Sequence, residues 1–188
     1  HVEIGGEQLF IVHNDEAPDF AVAIAPLTAS TRDDWTPLID HVPGVRVGGV
    51  SAYADYLVVE LRRDGLTGID LYERAGASLG ERRALTFDEP VYAVWADSDT
   101  EHDTDRITVT YESLVTPRSV LECRLADGNM SVLKRTPVLD HPEHGPYVGA
   151  DYVQERLWVA AEDGTAIPVS IVRHNDTPLD GTAPCLLY

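Results

Sequence analysis

Ser78 stands at the centre of Gly76-Ala77-Ser78-Leu79-Gly80, the Gly-x-Ser-x-Gly spacing that can raise a nucleophilic hydroxyl above an open sheet on a sharp strand-to-helix turn. The chemistry requires a helix after that turn. Here Glu81 to Phe87 (ERRALTF) is short, strand-like and soon ended by Pro90, so the sequence predicts an interstrand loop and no nucleophile at Ser78. Asp140, His141, Glu143 and His144 form a second cluster, with the imidazole and carboxylate groups that zinc accepts. Zinc takes three or four ligands in a tetrahedron, whereas this stretch carries Pro142 and Gly145 and has no second ligand pair close by. It reads as a hinge. The acidic run Asp97, Asp99, Glu101, Asp103 and Asp105 imitates a calcium loop but lacks the Gly of the tight turn and the closing bidentate Glu. It reads as a solvated loop between strands, with the alternative of a rim loop that faces a neighbouring domain and draws basic peptides. His13, His41, His102 and His174 are isolated in sequence, which decides little because triads assemble from distant positions. No catalytic, cofactor-binding or metal residue is assigned, and no cofactor is expected.

Composition narrows the partners. Hydrophobic residues make up 44% and charged residues 24%, which is a folding chain. No apolar run approaches the roughly 18 residues of a membrane span, so no membrane partner is expected. Thirty-two acidic residues against 14 basic give a formal charge of -18. That balance argues against nucleic acid, whose phosphates need clustered Lys and Arg. It suits short basic peptides, and solubility alone would explain it equally well. Cys123 and Cys185 lie far apart with no CxxC or Cys/His zinc spacing, so both are expected to be buried, reduced thiols of a cytoplasmic protein. The chain opens at His1 without Met, and Val2 to Ile4 are no leader. A trimmed left end is expected.

The elements that would position any site are strands. Leu9 to Val12, Leu57 to Glu60 and Ile107 to Thr110 recur about 50 residues apart. Each is followed by a second strand, at Phe20 to Leu27, Gly68 to Ala75 and Ser119 to Ala126. Trailing strands are predicted at Trp35 to Ile39, Arg82 to Phe87 and Ser131 to Arg135, and preceding ones at Val45 to Tyr53 and Val91 to Ala96. Four strands per repeat describe propeller blades, so 1–136 reads as about three four-stranded blades of a partial β-propeller in a mainly β chain. Thr136 to Ala150 (TPVLDHPEHGPYVGA) has Pro, Gly and His without alternation, which places an interdomain hinge at 137–150.

From 151 to 188 the pattern changes. Tyr152 to Ala161 puts Val153, Leu157 and Val159 on one side and Gln154, Arg156 and Trp158 on the other. Asp163 and Gly164 are predicted to hold the positive-φ positions of a tight turn. Ile167, Val169 and Ile171 return, with Pro168 pointing to an edge. Ala183 to Tyr188 (APCLLY) reads as the start of a buried strand.

Two stretches carry a resemblance. The first comprises Asp151 to Val153, Glu155, Arg156, Trp158, Ala161, Asp163 to Thr165, Pro168 to Val172 and Ala183 to Tyr188. The second is Tyr111 to Leu125 (YESLVTPRSVLECRL). Both resemble the prolyl oligopeptidase family of serine peptidases, its oligopeptidase B branch above all, and they occur in the family's order. The resemblance implies that 151–188 holds the first strands of an α/β-hydrolase catalytic domain, and that the three blades belong to a seven-bladed ring. It implies that the catalytic Ser, Asp and His, and an oxyanion-hole Tyr, lie beyond Tyr188. It further implies cleavage of short peptides after Lys or Arg, with the propeller restricting access, so the 188 residues alone are expected to be inactive. The rival expectation is a stand-alone β-rich module binding a peptide or carbohydrate. An open arc of blades also predicts homo-oligomers through exposed strand edges.

Overall fold

Short alternating segments punctuated by Gly, Asp and Pro give strands and almost nothing else. The computed structural model describes residues 1–97, 101–143 and 145–188, and among these it has fifteen strands and two single 3-10 turns, Arg32–Asp34 and Gly149–Asp151. The first blade is β1 (Val2–Gly5), β2 (Gln8–His13), β3 (Ala21–Pro26) and β4 (Thr36–Ile39), paired in that order. The second is β5 (Val45–Ala52), β6 (Tyr56–Arg63) and β7 (Leu66–Ala75), with β8 (Ser78–Leu79) and β9 (Arg83–Ala84) both paired to β7. The third is β10 (Tyr92–Ala96), β11 (Arg106–Ser113), β12 (Ser119–Arg124) and β13 (Met130–Arg135). A separate antiparallel hairpin follows, β14 (Tyr152–Ala160) with β15 (Ala166–His174).

The core lies in the seams between blades, and the period of two in β6 supplies both of them. Leu57 and Val59 join Phe10, Val12, Val22 and Ile24 in the seam with the first blade. Val58, one residue out of phase, joins Ile69, Leu71, Ile107 and Val109 in the seam with the third. A central blade must therefore be apolar on both faces, which is why β6 reads as a continuous apolar run.

The inner strands β5 and β10 are sheet edges, and the preceding blade supplies acceptors for N–H groups on them. The Val94 N–H donates to Thr67 Oγ1 at 2.7 Å and the Ala96 N–H to Glu60 Oε1 at 2.9 Å. The Ala52 N–H reaches Glu3 Oε1 at 3.5 Å. Burial raises the Glu60 pKa above the ordinary carboxylate range and nearby Asp97 adds to this, against the Ala96 N–H. A carboxyl whose folded pKa is raised costs stability once pH exceeds its unfolded value, and the cost vanishes below that value. Glu60→Gln keeps an acceptor for Ala96. It is expected to raise the melting midpoint at neutral pH and leave it unchanged well below the usual carboxylate range, as read by circular dichroism at the two pH values.

The structure departs from sequence expectation at four places. β1 was not anticipated, because its Val2-Glu3-Ile4 alternation is only three residues long before the Gly6-Glu7 turn. The fourth strand of the second blade, expected over Arg82 to Phe87, shrinks to β9, while Arg82 turns its guanidinium to Asp70. In the hairpin turn Gly164 is left-handed (φ 83°) and Asp163 is not. Asp163 instead accepts the Thr165 N–H at 2.9 Å, and Gly164 N–H reaches Ala161 O. Ala183 to Tyr188 is not a strand but irregular and largely exposed, since no sheet edge pairs with it, and Cys185 is accordingly exposed. The alternation of β14 is present, with neither face wholly covered: Leu157 and Val159 are exposed and Val153 partly covered on one, while Gln154 and Arg156 are partly covered and Trp158 exposed on the other. Cys123 is buried as expected, and burial pushes its thiol up to about 11.

Candidate functional site

In a meander, alternate turns fall at opposite ends of the blade. The turns after the second strands, 64–65 between β6 and β7 and 114–118 between β11 and β12, therefore share one end with the connectors between blades. The hairpin docks at that end. Arg156 Nη2 donates to Asp64 O. Gly65, left-handed at φ 79°, leaves room for this: a Cβ there would lie 3.0 Å from Arg156 Nη2 and 3.4 Å from Pro168 Cγ. Gln154 Nε2 approaches Ser113 Oγ at 3.5 Å, and the Tyr147 hydroxyl donates to Val115 O. At the hairpin's base Asn175 Nδ2 donates to Ala150 O at 2.8 Å, and Tyr147 stacks on Tyr152 at 5.5 Å.

The loop that receives the hairpin is built by Tyr111 to Ser119. Ser113 Oγ accepts the N–H groups of Val115 (3.0 Å) and Thr116 (2.7 Å), closing the turn on a hydroxyl. Glu89, from the connector between the second and third blades, accepts from the Tyr111 hydroxyl and, at 2.9 Å, from Thr116 Oγ1. Burial and this bond with Glu89 push the Tyr111 phenol far above its usual range. Phe87 stacks on Tyr111 at 4.8 Å, and Arg118 lies 5.5 Å over the Trp95 ring. Ser119 Oγ accepts from Arg135 Nε at 3.0 Å. Tyr111, Ser113 and Thr116 thus stiffen a seat at the blade end.

The residues singled out from sequence lie elsewhere. Ser78 is exposed and opens the two-residue β8 just after the left-handed Gly76, with no helix following. Asp97 accepts from Thr110 Oγ1 at 3.0 Å, and the described remainder of the acidic run, Glu101, Asp103 and Asp105, precedes β11. That is the end of β11 opposite the hairpin, so the described residues of this loop do not face the hairpin. Asp99 and His144 lie outside the described residues. His141 closes an isolated bridge to Gly145 and accepts the Glu143 N–H at its Nδ1. Among the described residues no three His, Cys, Asp or Glu side chains gather as a metal would require. His13 lies against Trp35, His41 is 3.6 Å from Asp19, His102 Nδ1 is 3.0 Å from Ala52 O, and His174 packs edge-on against Tyr152.

Arg156, Tyr147, Glu89 and Gly65 escaped assignment from sequence. Arg156 left a signal, a cation on the polar side of a strand with no carboxylate opposite it in the hairpin, where its cross-strand neighbour is Ser170. The arrangement can clamp one unit onto another through backbone carbonyls and aromatic stacking. Among the described residues it brings together no serine, imidazole and carboxylate.

Comparison with known proteins fits this geometry. The family model described as "Prolyl oligopeptidase, N-terminal beta-propeller domain" matches residues 1–136. The dipeptidyl aminopeptidase BI of Pseudoxanthomonas mexicana is 30% identical over 186 residues, covering 98% of this chain and 24% of that protein. Protease 2 of Moraxella lacunata is 27% identical over 187 residues, covering 100% and 25%. The solved structure of oligopeptidase B from Trypanosoma brucei, in a closed form with covalently bound antipain, superposes with a TM-score of 0.83 at 28% identity, covering 95% of this chain and 25% of that one. The chain thus spans about a quarter of the length of the relatives it matches.

Proposed function

The chain belongs to the prolyl oligopeptidase family, and from that membership we propose that it supplies propeller blades, hinge and first catalytic-domain strands to a cytoplasmic serine peptidase of the oligopeptidase B kind. The enzyme's substrates are short basic peptides, cut after Lys or Arg. Its catalytic serine, histidine and aspartate come from polypeptide outside these 188 residues, and the blades restrict access to them. Residues 137–150 act as the hinge, and 151–188 begin the catalytic unit.

The observation that carries this reading is the hairpin β14–β15. One side is fastened to the blade end through Arg156 and Gln154, while Leu157, Val159 and Ile167 on the other are left exposed on a unit of only two strands. Two strands with bare apolar side chains are not stable by themselves, so they suit the edge of a larger sheet. The charge of -18 favours cationic peptides and disfavours nucleic acid. Among the described residues no helix is long and apolar enough to cross a membrane. Exposed Val2, Ile4, Val132 and Leu133 on edge strands favour homo-oligomers when the chain is alone.

The test is hydrolysis by the full-length protein of fluorogenic peptides differing only at the residue before the reporter. Arg and Lys are expected to be turned over at least about a hundredfold faster than Pro or Ala, a discrimination of about 2.7 kcal/mol. Preference for Pro, or equal cleavage of the same sequence inside a folded protein, would refute the specificity and the gating respectively.

A further inference from the structure

Asp70, on β7, is a buried carboxylate whose side chain is only 4% exposed. Its Oδ2 takes one N–H from Arg63 Nη2 at 3.4 Å and one from Arg82 Nη1 at 3.3 Å. Its Oδ1 is buried and has no hydrogen-bond partner. Leaving a buried acceptor unmet is unfavourable, so the position calls for a donor that is not on the chain.

Asp70 lines a cleft of about 340 Å³ in the seam between the first and second blades, within the range of small-ligand sites, roughly 300–1,000 Å³. One wall is aliphatic, formed by Val45, Val47, Val59 and Leu61. Arg63 and Arg82 line the cleft too and are partly exposed, at 38% and 51%. Each guanidinium has five N–H donors and uses one on Asp70. Exposed Asp40 adds a second carboxylate. The two cations and two anions balance, which disfavours a simple anion or cation and suits a ligand carrying both charges.

We propose that this seam binds a free apolar α-amino acid, its ammonium donating to Asp70 Oδ1, its carboxylate accepting from Arg63 and Arg82, and its side chain lying on the valine and leucine wall. The site is independent of the peptidase reading, since it needs only the first two blades. Its occupation would tie the blades together, because Val45 and Val47 belong to the second blade while Ile39 of the first lines the same cleft.

Titration of the 188-residue chain with leucine, leucinamide and N-acetyl-leucine tests it, by calorimetry and by the arginine Nε–H resonances. Leucine is expected to bind saturably and shift the Arg63 and Arg82 signals. Each blocked analogue, lacking one charged contact, is expected to bind at least about tenfold more weakly. Asp70→Asn removes the ammonium contact. Because a buried substitution there can unfold the blade, Arg82→Gln, at a half-exposed position and with Arg63 still paired to Asp70, is the second variant and should weaken leucine by about tenfold in a chain that its thermal melt shows to be folded. Absence of saturable leucine binding, equal binding of all three compounds, or indifference to Arg82→Gln would each overturn the proposal, leaving Oδ1 to water.

Discussion

Leu57→Ala is expected to lower the stability of the blades by about 2–5 kcal/mol, the range for a fully buried leucine whose neighbours cannot collapse into the void. Leu57 is 0% exposed and lies between two sheets, against Phe10, Val12 and Val22 of the first blade. Those neighbours are fixed by their own ladder and by the register Phe10↔Ile24 and Val12↔Val22, so the seam relaxes little. Leu133→Ala removes the same atoms from an exposed position on β13 and is expected to stay within about 0.5 kcal/mol. Urea denaturation of the two variants measures the difference. Equal losses would mean that the seam is not where the chain's stability resides.

Gly5→Ala is expected to cost about 1–3 kcal/mol or more through overpacking. Gly5 ends β1 where the first blade meets the second, and a Cβ would fall 2.5 Å from Ala52 Cβ and 2.8 Å from Phe10 Cε2. The contact cannot open freely. Arg74 lies across the junction, donating to Tyr53 O and, at 3.1 Å, to Gly5 O, with its guanidinium 4.7 Å over the Phe10 ring. Because the nearest obstacle is one methyl group, Ala52→Gly is expected to recover part of the loss in the double variant, a coupling that thermal melts of the four proteins measure. Strict additivity would place the damage elsewhere than in this contact.

The blade pattern was legible because it rests on local physics. Alternation marks β6 and β11, and turns rich in Gly, Asp and Pro separate them at a repeat of about 50 residues. What stayed hidden depends on partners distant in sequence. Beside the short β9, Arg82 pairs with Asp70, and no local pattern announces such an ion pair between strands. The two faces of β14 were legible, but alternation identifies faces without saying which is covered. Ala183 to Tyr188 has a strand's composition, but a strand forms only beside another. The candidate site was half legible. YESLVTPRS and the residues around Arg156 stood out as motifs, while their meeting across the blade end through Ser113, Val115 and Asp64 required the fold.

The most direct measurement treats the 188-residue chain and the full-length protein side by side with an aryl phosphonate bearing a basic side chain, followed by intact mass. An adduct on the full-length protein, with the shorter chain unmodified, is the expected result. An adduct on the 188-residue chain that maps to Ser78 and disappears in Ser78→Ala would contradict it, because these blades would then carry a nucleophile of their own.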